Sequence, residues 1–507
     1  MSNNQTTKDS LMTSAISNWA ALIIQTLIGL VLTPFLIKSL GNNGYGSWVA
    51  IVSVWGYFGI LTTGLGSSII RYISKYRALG EEENLNQVVN SSFFIMVLFT
   101  LILIPVSYWG GMIFAAFFEI AADSYLDFNK AFFYLGLATV IMFYVSNFKS
   151  VAHGYERFKE LNIMESIHHI IKAMLVYFLL INGFGLIGLA YANLLSFLFF
   201  LIMIVWYFGS RLPDIKFKTR AISKKMLGLL MSYSSGTLLI SFANILRFNL
   251  DNLIIAKLVN MEMVAIYSIG AALINYISQF IIIGFNILMP RFTHLISSKN
   301  DAEMRILFLK SLFISSFLTV MMSTVSVIVV DDFLQWWLKK EFIQSATIFY
   351  ILIFSFTISL ASFPGITLFY AKNKHMIFAK ITLGEAVINF ALSIVLVLKV
   401  GFIGAAIATA VTLLFNKLIV QPYYVSQLAN IKMMDYLNQM ITPFMAGIFI
   451  IIPAYFLGMI GTYVWEFWEM VVLIVVIILI YYFLTWLLLR ILKSSNLPLI
   501  QFWNFRK

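Results

Sequence analysis

The chain has 507 residues, of which 61% are hydrophobic and only 11% charged, and its mean hydropathy is +0.91. Soluble domains carry about 25% charged residues, so an ordinary soluble globular protein is excluded and the apolar surface belongs in a bilayer. The absence of cysteine excludes a disulfide framework and a thiolate metal site, and the net charge of +12 needs its distribution read before it implies any partner.

Apolar segments of membrane-spanning length fall roughly at 13–37, 46–69, 88–114, 128–149, 162–182, 186–208, 228–258, 262–289, 306–330, 345–371, 377–398, 402–425, 441–461 and 468–492. The expected fold is therefore all-α and polytopic, with about 14 transmembrane helices. The first segment is too long for a signal-peptide core and lacks a small-residue cleavage pattern, which predicts a retained helix. Most of the 34 lysines and arginines fall on the side of the membrane that holds the N-terminus, Lys417 among them, with the longest basic run at Arg211–Lys225. The other side holds only Lys38, Lys130, Lys257, Lys339, Lys340 and Lys399, while Lys172 and Arg247 lie within spans. The positive-inside rule then places both termini in the cytoplasm. The positive charge is topological, and nucleic acid is not an expected partner.

Polar residues inside the spans are the informative ones, because an intramembrane ionisable group faces a cavity or a partner. The first span carries Asn18, Gln25 and Thr33, and the second ends at Arg71. The fifth presents Glu165, His168, His169 and Lys172 on one helical face. Glu165 reads as solvated near the cytoplasmic entry and Lys172 as a cavity cation. The two adjacent histidines have no third ligand pattern, so no metal is expected. The seventh span carries Thr237, Ser241, Asn244, Arg247 and Asp251 on one face, with Arg247 and Asp251 spaced for an i,i+4 pair. Ser268, Asn275, Gln279 and Asn286 form the stripe of the eighth, which runs on to Arg291. The uncharged residues either glue helices together or line a pathway. Arg71 and Arg291 are either snorkelling anchors or cations at an inner mouth able to meet phosphates. Glu385, mid-span in the eleventh segment, is a candidate proton or sodium site, with Asp251 beside it in that role. The alternative for Glu385 is a structural partner for a cation such as Lys172. No Gly-x4-Gly-Lys-Ser/Thr loop, His-Glu-x-x-His pair or Gly-x-Ser-x-Gly elbow occurs. The expected work is binding and conformational change without a cofactor, coupled to H+ or Na+ if to anything, and not catalysis.

The first twelve segments read as two copies of one six-helix unit. Gly64 with Arg71-Tyr72 matches Gly284 with Arg291-Phe292, and Leu40–Trp48 matches Val259–Tyr267. Gly185-Leu-Ile-Gly188 matches Gly401-Phe-Ile-Gly404, and the polar turn His153–Phe158 matches Phe369–Lys374, at offsets of 216 to 220. The expected division is 1–210 for an N-terminal lobe, 211–227 for a basic cytoplasmic linker, 228–430 for a C-terminal lobe and 431–507 for two additional helices and a tail. Duplicated bundles of this kind are built to place a substrate at the repeat interface.

Thr33-Pro34-Phe35-Leu36-Ile37, Leu40-Gly41-Asn42-Asn43-Gly44-Tyr45-Gly46 and Gly64-Leu65-Gly66 leading to Arg71-Tyr72 resemble the opening of Wzx-like oligosaccharide flippases of the multidrug/oligosaccharidyl-lipid/polysaccharide exporter superfamily. Asp251-Asn252-Leu253-Ile254-Ile255 and Val264-Ala265-Ile266-Tyr267 resemble the corresponding second-lobe segment. The resemblance implies two lobes in alternating access. It also implies a cargo of polyprenyl-diphosphate-linked oligosaccharide, such as an O-antigen or polysaccharide repeat unit, moved from the cytoplasmic to the outer leaflet of the plasma (inner) membrane. Arg247, Lys172, Arg71 and Arg291 would then meet the diphosphate, and Asn18, Gln25, Asn244, Asn275 and Gln279 the sugars. Membrane lipids and a glycan polymerase or glycosyltransferases of the same pathway are the implied partners. A cation-coupled multidrug antiporter of the same superfamily and an intramembrane glycan polymerase or ligase are the alternatives.

Overall fold

A computed structural model describes the backbone of residues 2–211, 215, 217–460 and 465–491, while the side chains of 2–18, 20, 21, 219, 236, 237, 239–249 and 340 lie outside the described part. Among the described residues there is no strand. The helices are α1 (Ser2–Leu79), α2 (Glu82–Phe117), α3 (Tyr125–Gly154), α4 (Phe158–Ile181), α5 (Gly185–Arg211), α6 (Lys224–Leu258), α7 (Met261–Phe285), α8 (Leu288–Ser297) and α9 (Asp301–Leu338). They continue with α10 (Gln344–Ala361), α11 (Phe363–Ala371), α12 (His375–Val400), α13 (Ile403–Phe415), α14 (Gln421–Ala429), α15 (Met433–Phe456) and α16 (Phe467–Ile491). Among the described residues, 12 helical runs are long and apolar enough to cross a membrane. The first, Leu22–Leu79, contains two predicted spans, and Gly41, at φ 68° and ψ 172°, breaks the helical path between them. A glycine is required there because an L side chain resists positive φ. The chain is a multi-pass membrane protein.

By contact the chain forms two compact units, Met1–Ala265 and Ile266–Lys507. This boundary does not coincide with the expected linker at 211–227: α6 belongs with the first unit. The reason is close backbone approach. A Cβ on Gly46 would collide with the Met261 carbonyl, and one on Gly64 with the Leu238 side chain. Small residues give membrane helices their tightest contacts, since lipid offers no hydrophobic drive to association. Within the first unit α3 packs on α1, α2 and α5. Gly136 admits Ser107 and Trp55, and the Trp55 indole N–H donates to the Phe132 carbonyl at 3.1 Å. In the second unit α9 packs on α10, α15 and α16, and α13 on α10 and α12. Polar glue holds it too: Ser345 Oγ donates to the Ile266 carbonyl at 2.7 Å and Ser315 Oγ to the Leu360 carbonyl at 2.9 Å.

The duplication read from sequence has a backbone counterpart. Left-handed residues recur at matching positions: Gly80 (φ 69°) and Lys299 (φ 55°), Glu119 (56°) and Lys339 (64°), Glu156 (63°) and Asn373 (58°), Gly185 (50°) and Gly401 (70°). The polar turns share their hydrogen bonds. Glu156 N–H donates to the His153 carbonyl and Arg157 N–H to Ala152, while Asn373 N–H donates to Tyr370 and Lys374 N–H to Phe369. These are the bonds of a helix C-terminus that reverses through one left-handed residue.

Candidate substrate and coupling sites

In the first unit, Arg71 is an exposed cation on the C-terminal part of α1, with its guanidinium carbon 4.6 Å above the Tyr233 ring of α6. Gln25 is exposed on α1. Lys172 lies half-buried on α4 and makes no ion pair or hydrogen bond among the described residues. Its helix neighbour Glu165 does not serve it, because Glu165 is ion-paired with Lys149 of α3. That pairing corrects the expectation of a solvated Glu165. His168 is buried against Phe197 and Phe200, with Nδ1 3.1 Å from the Ser196 carbonyl, so its ring packs α4 onto α5. Asp251 is buried on α6, one residue before Asn252, whose side chain donates to Ser53 Oγ of α1 at 3.1 Å. Asn18 on α1 and Asn244 and Arg247 on α6 have side chains outside the described residues.

In the second unit, Asn275 is exposed and Gln279 half-buried on α7. Arg291 on α8 is exposed, with Nη2 3.9 Å from Glu303 Oε1. Glu385 is buried on α12 and accepts a hydrogen bond from the Asn416 amide. Asn416 opens a turn of π-helix, Asn416–Val420, set between α13 and α14. The next residue, Lys417, is only 1% exposed; its ammonium donates to Gln421 Oε1 and stands 5.7 Å from the Phe378 ring centre. Gln421 in turn donates to the Ser362 carbonyl at 3.0 Å. One turn along α12 from Glu385, Asn389 donates to Thr409 Oγ1 at 2.9 Å.

Two sequence readings are thereby corrected. Glu385 is not an isolated carboxylate, and Lys417 is not a loop cation facing headgroups. Both belong to a buried polar seam, and such groups survive in apolar surroundings only when their hydrogen bonds are met internally. A π turn inside an α-helix often marks a functional site. The seam left a trace in the sequence, since Thr409, Thr412 and Asn416 recur at helical spacing within one predicted span. Tyr233 left none, because a lone tyrosine at a helix end reads as interfacial packing.

Similarities to known proteins fit this arrangement. A family model described as "Polysaccharide biosynthesis protein" matches residues 11–296. A protein of Shigella flexneri named "Putative O-antigen transporter" is 24% identical over 425 residues, covering 82% of this chain and 98% of that protein. Among solved structures, the lipid II flippase MurJ in an inward closed conformation matches with a TM-score of 0.69 at 14% identity, covering 95% of this chain and 100% of that one. An inward-facing multidrug resistance MATE family transporter of the MOP superfamily matches with a TM-score of 0.68 at 14% identity, covering 82% and 99%. At that identity the two structures speak for the fold, which MurJ and the MATE transporter share.

Proposed function

The chain belongs to the polysaccharide biosynthesis protein family, and on that premise we propose that it is a flippase, not an enzyme. It carries polyprenyl-diphosphate-linked oligosaccharide from the cytoplasmic to the outer leaflet of the plasma (inner) membrane by alternating access, for cell-surface polysaccharide assembly. Both termini lie in the cytoplasm. The observation that carries this reading is Lys172, a half-buried cation on a membrane-spanning helix without an ion-pair partner among the described residues. An intramembrane cation left in that state supports an anionic cargo, and a diphosphate is anionic. Arg247 and Arg71 extend the cationic character, and Asn244, Asn18, Gln25, Asn275 and Gln279 supply partners for sugar hydroxyls. The pathway's glycan polymerase or glycosyltransferases are the proposed neighbours.

With no nucleotide-binding loop, movement draws on an ion gradient, the membrane potential or removal of product outside. The buried seam of Glu385, Asn416 and Lys417 is the proposed coupling element, with H+ or Na+ as the ion. The multidrug antiporter alternative calls for a carboxylate site of little cationic character, and Lys417 follows directly on the residue bonded to Glu385. Deleting the gene tests the reading. Intact lipid-linked repeat unit should accumulate on the cytoplasmic face. Drug hypersensitivity with normal glycan export would overturn it in favour of the antiporter. Arg247→Ala should abolish export while the protein still inserts. Rescue by a second change, Asp251→Ala, would make that pair structural.

A further inference from the structure

We propose that the two equivalent arginines of the duplication have diverged: Arg71 receives the phosphates of an incoming lipid diphosphate, Tyr233 is its positioning residue, and Arg291 has a lesser part. This rests on the flippase reading and names its loading subsite.

A guanidinium has a flat face and five N–H donors in its plane. Stacked on an aromatic ring, it spends the face and keeps the donors, which then form a fork matched to phosphate oxygens. Arg71 is placed over such a ring. Its guanidinium carbon is 4.6 Å from the Tyr233 ring centre, the side chain is exposed, and it makes no ion pair or hydrogen bond among the described residues. The ring beneath it is held from two directions. Tyr72 meets Tyr233 edge-on at 6.4 Å and stacks on the buried Tyr76 at 6.2 Å. Ser234, the next residue of α6, donates to Ser68 Oγ of α1 at 3.1 Å, fixing the two helices at this level. Lys75, whose ammonium lies 5.3 Å from the Tyr76 ring centre, adds a second cation on the same helix end.

Among the described residues Arg291 has no such platform. It lies 3.9 Å from the Glu303 carboxylate, with both side chains largely exposed. An exposed pair of this kind adds little stability, yet it places a negative charge where a phosphate would come. The duplication therefore offers two arginines, of which one is poised for an anion and the other is already answered.

The test uses the full-length protein in nanodiscs of phosphatidylcholine, titrated with farnesyl diphosphate and read by native mass spectrometry. Arg71→Ala should weaken binding about tenfold or more, the loss of a charge-assisted contact. Tyr233→Leu should weaken it about threefold, the loss of a cation–π platform, whereas Tyr233→Phe, which keeps the ring, should bind like the parent. Arg291→Ala should lose less than Arg71→Ala. Equal losses at the two arginines, or parental binding by Tyr233→Leu, would overturn the assignment. So would displacement of farnesyl diphosphate by equimolar phosphatidylglycerol, which would make Arg71 a headgroup anchor. Absence of any farnesyl diphosphate binding by the parent protein would instead sink the lipid-diphosphate reading, and this subsite with it.

Discussion

Replacing Glu385 with glutamine separates a coupling role from a structural one. The Asn416 amide donates to the Glu385 carboxylate in a buried position. A hydrogen bond to a charged group contributes about 1.5–3 kcal/mol and a neutral one about 0.5–1.5. Glutamine retains an acceptor for Asn416 and loses only the charge, so Glu385→Gln should cost about 1–1.5 kcal/mol by that difference. Glu385→Ala would also strand the Asn416 amide N–H, and the oxygen of that amide has no partner among the described residues. An unmet buried donor adds about 1–3 kcal/mol. Melting of the purified protein in detergent should therefore rank parent, glutamine, alanine. Export in cells, measured beside melting, decides the role. A coupling carboxylate predicts that Glu385→Gln folds, still binds cargo and fails to cycle. Normal export by Glu385→Gln, with unchanged sensitivity to a protonophore, would refute the coupling role. A melting loss as large as that of Glu385→Ala would refute the account of the Asn416 bond.

Gly46→Ala should destabilise the first unit by about 1–3 kcal/mol, the usual cost of overpacking, because its Cβ meets the Met261 backbone and not a side chain that can swing away; a melting curve unchanged from the parent would contradict this. Reporter fusions after residues 225 and 500 should both read cytoplasmic, and an external signal from either would sink the topology. At the loop after α2, Lys257 Nζ lies 2.7 Å from Glu119 Oε1, and this hydrogen bond with the accompanying charge holds the Glu119 carboxyl below its ordinary range. A lowered folded-state value means that the pair's contribution is whole above the ordinary carboxylate range and fades as pH falls through the lowered value. A double-mutant cycle of Glu119→Gln and Lys257→Met should show a small coupling at neutral pH that vanishes in acid and in high salt. A coupling that persists in acid would assign the contact to packing, since Lys257 also lies 5.2 Å from the Phe117 ring centre.

The helices were legible in the sequence because a bilayer forces long apolar runs to satisfy their own backbone, and every predicted span is helical in the described residues. The repeated turns were legible as well, since glycine and polar residues cluster where a helix ends in a left-handed residue. The division into units was not. It depends on how closely α6 meets α1 through Gly46 and Gly64, and spacing along one chain does not report proximity. Lys417 was misread for a related reason. A lysine in the cytoplasmic half of a predicted span reads as an orientation signal that snorkels outward, and only the π turn that contains it shows the side chain turned inward, to Gln421. Arg71 and Arg291 look alike in sequence, and their different neighbours, Tyr233 and Glu303, lie on other helices.

The π turn at Asn416–Val420 also bears on descent. A π turn holds one more residue than the α turn it replaces, the footprint of a single inserted codon. Each residue of an α-helix advances about 100° around the axis. The wider turn absorbs that residue, so a relative lacking it would present α14, from Gln421 to Ala429, on the same face with each position shifted by one in number. Pairing such relatives residue by residue across this point sets inward-facing positions against lipid-facing ones, so family members differing by one residue here are to be compared by helix face and not by column.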